Sequence, residues 1–156
     1  MNNKALRTLL LRSIAAGIGL AAAQAPAVAS DFLAATRPVI AIVNGELFVG
    51  EAIGHLDGAG TIAMHAQLNP SLTCVGEFTS SAKEGGHGNM RCSDGAIASF
   101  QFQRLNIYRG YGAGDTTRGA MSFAYGLTSE EAVHYLRLPG GKKFSPPGTE
   151  LTLVDQ

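Results

Sequence analysis

The residues of this chain with the most chemistry available to them are two cysteines, Cys74 and Cys92, and there are no others. Zinc sites built on cysteine commonly use C-x-x-C spacing, and these two cysteines do not have it. Both are better explained as partners of one another than as nucleophiles. An even cysteine count in an exported chain favours a disulfide, with a metal site or two free thiols as the alternatives. Closing the 17 residues between them stabilises a fold by about 3 kcal/mol in the chain-entropy picture.

The four histidines are His55, His65, His87 and His134. His55 and His65 flank the turn-forming Leu56–Gly60, so a hairpin there would bring them together, and histidine pairs can ligate a metal at roughly 2.0–2.1 Å. They fall on turn or outward positions, without clustered carboxylates, and solvated surface histidine is the expectation; no metal site is implied. Catalytic arrangements are equally thin. There is no Gly-x-Ser-x-Gly, and Ser93-Asp94-Gly95 is a tight turn rather than part of a triad. Glu46, Glu51 and Glu77 could share a sheet face, but a glycosidase needs two carboxyls about 5–9.5 Å apart across a cleft. The expectation is a protein without a catalytic constellation and without a cofactor.

What remains is a basic and aromatic cluster. Arg109-Gly110-Tyr111-Gly112-Ala113-Gly114 has the glycine content of a phosphate loop but lacks the following Lys-Ser/Thr and the helix. Read as a loop or bulged bend, it joins Arg104, Tyr108, Arg109, Tyr111, Asp115 and Arg118 into a candidate surface for a sugar or peptide. Binding residues favour loops on a rigid scaffold, so this bend is the first-choice partner site.

The elements that would position these residues are strands. Val39–Val43 and Glu46–Ile53 flank Asn44-Gly45, the strongest short-range hairpin signal. Period-two alternation puts Ile62, Met64 and Ala66 on one face, then Cys74, Gly76 and Phe78, then Gly88, Met90 and Cys92, then Ala98, Phe100 and Phe102. Both cysteines thus sit on the apolar face, as a buried cross-strand bridge requires. Ala96–Ile107 is the longest strand, and Leu105 and Ile107 are expected to keep the inward phase if the strand stays extended through them. Gly119, Met121, Phe123 and Tyr125 share a face of the strand Arg118–Tyr125. Thr128 with Glu131 forms a capping box, giving a short helix from Ser129 to about Val133. Tyr135–Leu138 reads as a strand and Lys142–Gly148 as extended loop. Leu151–Val154 reads as a last strand able to pair with the first and close the sheet. Ser30–Arg37 is a lead-in with room for one helical turn, ended by Pro38. Three matches to G-x-[IM]-x-[MCF], starting at Gly60, Gly88 and Gly119, are faint as a repeat; glycine at each lets a strongly twisted sheet bend. The fold class is therefore all-β, a small antiparallel barrel or sandwich of about 7–8 strands with one short helix after Thr128. Gly is 20 of 156 residues, against an average of roughly 7%, which suits the turns and bulges of such a fold.

The N-terminus has the layout of a secretory signal peptide: Lys4, Arg7 and Arg12, an apolar run Ile14–Ala23, and Ala27-Val28-Ala29 before the expected cleavage point. The run is shorter than the roughly 20 residues of a membrane span, and no later stretch is longer, so no transmembrane segment remains after its removal. The organisation is then a signal peptide at 1–29 and one β domain at 30–156. Cleavage removes three basic residues and no acid, which leaves nine basic against 12 acidic residues. That balance disfavours nucleic acid and polybasic membrane contacts.

The run G-x-G-x-I, T-C-x-G-x-F and G-x-G-x-M-x-C-S-D-G, spread over Gly58–Gly95, resembles a pattern in uncharacterised exported bacterial proteins. The resemblance implies a small disulfide-linked β domain with no assigned activity. Size, leader and single disulfide are also similar to periplasmic lysozyme inhibitors of the small-barrel type, although their Ser-Gly-rich inhibitory loop has no match here. The expectation is a periplasmic or extracellular, non-enzymatic domain that binds a protein or an envelope component. The alternative is an inhibitor of an envelope-directed hydrolase acting through a protruding Arg109–Asp115 loop.

Overall fold

Asn44 and Gly45 both adopt positive φ, 54° and 85°, the backbone that a two-residue hairpin turn needs if its twist is to match the strands. They join β1 (Ala35–Val43) to β2 (Glu46–Gly54). The computed structural model describes residues 34–81 and 83–156; the expected leader at 1–29 lies outside them. Six further strands follow in meander order: β3 (Ala59–Ala66), β4 (Thr73–Ser81), β5 (Gly85–Cys92), β6 (Ile97–Asn106), β7 (Arg109–Thr116) and β8 (Gly119–Tyr125). Every neighbour is antiparallel, and β8 pairs back onto β1 from Val39↔Tyr125 to Val43↔Met121, closing an eight-stranded barrel. Closure leaves the barrel no free edge. The barrel, and not the sandwich, is the outcome of the all-β expectation.

The inward face follows the alternation closely. Val39, Ala41 and Val43, Phe48, Ile62, Met64 and Ala66, Met90, Ala98, Phe100 and Phe102, Met121 and Phe123 form one buried cluster with both cysteines. Cys74 lies directly opposite Cys92 in the β4–β5 ladder, and the two are joined with an S–S distance of 2.01 Å. The bridge therefore closes inside the barrel, near the end that carries the β5–β6 turn.

Five expectations are corrected. Arg109–Gly114 is not a loop; it lies in β7, fully paired with β6 and β8. Its alternating glycines Gly110, Gly112 and Gly114 face inward where a side chain would collide: a Cβ on Gly112 would lie 2.5 Å from Phe123 Cζ, one on Gly110 2.3 Å from the Tyr125 hydroxyl, and one on Gly114 2.1 Å from the Ser99 carbonyl oxygen. Leu105 and Ile107 do not point inward and are 48% and 62% exposed. They are odd-numbered, whereas the inward phase of β6 is even, and its register shifts between Arg104 and Asn106. Arg104 takes the inward place. Pro38 does not end a helical turn; it lies within β1, which starts at Ala35. Its carbonyl accepts from Gly126 N at 2.8 Å, so its nitrogen faces the end of β8, where no ladder donor is missed. Finally, the last strand does not close the sheet. Among the described residues β10 (Leu153–Asp155) pairs only with β9 (Lys142–Phe144), and Tyr135–Leu138 is not a strand.

The C-terminal segment covers part of the outside. The helix α1 (Ser129–Ala132) starts at the expected capping box, with Thr128 and Glu131 each bonded to the other's backbone. Ile42, Leu47, Ala124, Leu127, Ala132 and Leu136 form a second buried cluster against Ile40, Tyr135, Leu138, Phe144, Leu151 and Leu153. The unbroken apolar run Val39–Val43 is thereby explained. Its odd residues face the barrel interior and its even residues face this outer layer. Ser122, also outward on β8, is buried and its hydroxyl accepts from Arg137 N at 2.9 Å.

Candidate functional site

Inside a closed barrel of eight strands there is room for side chains or for one small ligand. The two ends of this barrel differ. At the end of the β1–β2, β3–β4, β5–β6 and β7–β8 turns the interior is filled, with Cys74 and Met121 almost fully buried. At the other end the inward side chains leave a cavity of about 630 Å³. That lies within the roughly 300–1,000 Å³ of small-molecule sites. The cavity is blind and its walls are mostly apolar, including Val39, Ala52, Ile62, Phe78, Phe102 and Phe123.

Aromatic contacts hold the walls in shape. Phe100 meets Phe123 edge-on with centroids 5.3 Å apart, Phe78 meets Phe102 at 5.5 Å, and Phe102 meets Tyr125 at 6.0 Å. Such T-shaped pairs add about 0.5–1.5 kcal/mol each beyond their area burial. Gly110 and Gly112 of β7 make space for this arrangement, since a side chain there would occupy the place of the Tyr125 and Phe123 rings.

Polar groups gather at the mouth. Arg104 reaches from β6 across the adjacent β5 to donate from Nη2 to Ser80 Oγ on β4, at 2.6 Å. Ser80 in turn donates to Gly58 O in the β2–β3 turn at 3.2 Å. Arg104 Nε is buried and has no hydrogen-bond partner among the described residues. Arg37, from β1, lies with its guanidinium carbon 4.4 Å above the Tyr108 ring in the β6–β7 turn, so the two arch over part of the opening. Burial pushes the Tyr125 phenol above its ordinary pKa, partly opposed by the nearby Arg104 charge. Around this rim Leu56, Ile107 and Tyr108 are exposed, the first at 78%.

The expected partner residues do not share one surface. Arg104 and Tyr108 line the mouth. Arg109 sits outside the wall, where it pairs with the Glu131 carboxylate and donates from Nε to Gly126 O at 3.2 Å. It thereby ties α1 to the barrel. The Glu131 carboxyl is held below its ordinary pKa chiefly by that Arg109 hydrogen bond. Tyr111 also faces outward, stacked on Tyr135 at 4.3 Å and donating to Gln103 Oε1 at 2.9 Å. Asp115 and Arg118 are at the far end, with Arg118 pairing with Asp94. The protruding Arg109–Asp115 loop on which an inhibitor reading rested is absent, because those residues are a barrel stave.

The other candidates are likewise separated. His55 is in the β2–β3 turn at the mouth, whereas His65 lies opposite Val49 and Thr73 toward the other end of the barrel, so the hairpin forms but its register keeps the two apart. His87 lies outward, 3.5 Å from Thr79 Oγ1. Glu46, Glu51 and Glu77 are all exposed. Among the described residues no three His, Cys, Asp or Glu side chains gather as metal ligands do.

Sequence reasoning missed Arg37, Ser80 and Tyr125 as parts of a site. A signal for them was present. Each continues the inward phase of its strand, so a charged or polar residue occurs in step with a core pattern, at the same end of the barrel.

No protein-family model, curated protein or solved structure matches this chain.

Proposed function

We propose that this protein is an exported, non-enzymatic binding barrel of the periplasm or the cell exterior, and that the open end of the barrel is its binding site for a small, largely apolar molecule. The observation that carries the reading is the blind cavity between Phe78, Phe102 and Phe123, open at one end and packed at the other. A cavity of this size is poorly compatible with simple structural filling, because interiors normally close to near-crystalline density. Export is supported by the N-terminal layout of Lys4, Arg7 and Arg12 followed by Ile14–Ala23, and by a buried disulfide suited to an oxidising compartment. The partner is then an envelope component or a molecule passing through the envelope.

Titration with the neutral fluorophore N-phenyl-1-naphthylamine tests the site. The purified protein should bind it at one per chain, and Ala52→Phe, which fills the cavity from β2, should weaken binding about tenfold or more. Binding unaffected by that substitution would place the fluorophore elsewhere and remove the reading. Export is checked separately by the mass of the protein recovered from the periplasmic or external fraction, which should begin at Ser30.

A further inference from the structure

The mouth of the cavity carries two arginines, Arg37 and Arg104. We propose that the ligand is an amphiphilic acid, with an apolar body seated among the phenylalanines and a carboxylate or phosphate head clasped at the mouth by Arg104 and Arg37; this rests on the reading of the open end as a ligand site. Both guanidiniums line the cavity, and among the described residues neither has a carboxylate partner. Arg109 and Arg118, which do have one, lie outside it. A guanidinium carries five N–H donors in a planar fork and stays charged. Arg104 uses one of them on Ser80 and keeps Nε buried without a partner. Arg37 spends one on its own neighbour's carbonyl, Thr36 O at 2.7 Å, and rests its face on Tyr108.

Other groups at the mouth agree with an anion. The Tyr125 hydroxyl is a neutral donor beside Arg104. Asp57, the acid in the lining, is exposed and its Oδ1 accepts from Ala59 N at 2.9 Å. The low-polarity walls strengthen attraction between an arginine fork and an anionic head relative to water. The same two charges repel an amine. Exposed Leu56 and Ile107 give the rim an apolar lip, which suits a ligand that is part hydrocarbon.

The test compares ligands with one body and different heads. Decanoate, decyl phosphate, decanol and decylamine are titrated calorimetrically into the purified protein, together with its Arg104→Met and Arg37→Gln variants, each checked for native far-UV circular dichroism. Decanoate or decyl phosphate should bind about tenfold or more tighter than decanol, and decylamine more weakly than decanol. Whichever acid binds more tightly assigns the head as carboxylate or phosphate. Arg104→Met should bring the acid to within about threefold of the alcohol while leaving decanol little changed, and Arg37→Gln should act in the same direction. Equal binding of acid and alcohol overturns the charge proposal and leaves the cavity reading standing. So does acid binding indifferent to both arginine substitutions. Failure of all four decyl ligands overturns the proposal too, and N-phenyl-1-naphthylamine binding then tells whether the cavity reading fails with it.

Discussion

Gly112 shows how one absent side chain shapes a site. It faces inward on β7, and a Cβ there would lie 2.4 Å from Gln101 O and 2.5 Å from Phe123 Cζ. The first of these is backbone in a ladder and cannot swing away. Gly112→Ala should therefore destabilise the protein by about 1–3 kcal/mol through overpacking, measured as a lower urea midpoint. Gly140→Ala, which has open space within 4 Å, serves as the control with little change. Arg109 and Glu131 illustrate the opposite, a contact made by long side chains at the surface. Glu131 has its carboxyl lowered by Arg109 and by the Thr128 backbone. A depressed carboxyl contributes stability that is complete above the unfolded carboxylate range and is lost as pH falls through the folded value. Glu131→Gln should accordingly lower the melting temperature slightly at pH 7, and the gap to the unsubstituted protein should close as pH drops below the ordinary carboxylate range. A gap that persists at pH 2 would assign the effect to packing of α1 rather than to charge.

At the scale of elements, the strands were legible where the alternation was carried by apolar side chains. Ile62, Met64, Cys74, Phe78, Met90, Cys92, Phe100 and Phe123 all face inward as their spacing predicts. The reading failed where the inward residues carried no hydrophobic signal. In β7 those positions are Gly110, Gly112 and Gly114, so a strand looked like a loop. At the end of β6 the inward residue is Arg104, and apolar Leu105 and Ile107 displaced the phase by one. Closure by β8 was equally hidden, because pairing between residues so far apart in sequence leaves no local mark. The candidate site is the least legible part, since sequence proximity joins Arg104 and Tyr108 to Arg109, Tyr111, Asp115 and Arg118, whereas the barrel joins them to Arg37 and Tyr125 at its mouth. The β4–β5 hairpin, by contrast, was read with its bridge. Replacing Cys74 and Cys92 together by Ala should cost about 3 kcal/mol, and adding reductant during urea denaturation should lower the midpoint of the unsubstituted protein but not of the double variant. Intact mass measured without reductant should be two hydrogen atoms lighter than that of the reduced chain.

The whole molecule has two cores on opposite sides of one sheet. The first lies within the barrel, and the second lies between β1, β2, β8 and the segment from Leu127 onward. They share strands, because β1 contributes Val39, Ala41 and Val43 to one and Ile40 and Ile42 to the other. β1 and β8 are also the pair that closes the barrel. Loosening the outer layer should therefore weaken closure itself rather than free a tail. Leu136, 8% exposed in the outer cluster, gives the cleanest test, as it belongs neither to the cavity lining nor to the disulfide. Leu136→Ala should cost about 2–5 kcal/mol. Because the cores share strands, the loss should appear in one cooperative transition, with far-UV circular dichroism and tyrosine fluorescence falling together in urea. The chain has no Trp, so tyrosine reports both layers, with Tyr111 and Tyr135 stacked outside and Tyr125 at the mouth. An early tyrosine change with the barrel's circular dichroism unshifted would mean that the outer layer melts alone. In that event the C-terminal segment would be a cover added to a self-sufficient barrel, and the apolar even-numbered face of β1 would be what it protects from water.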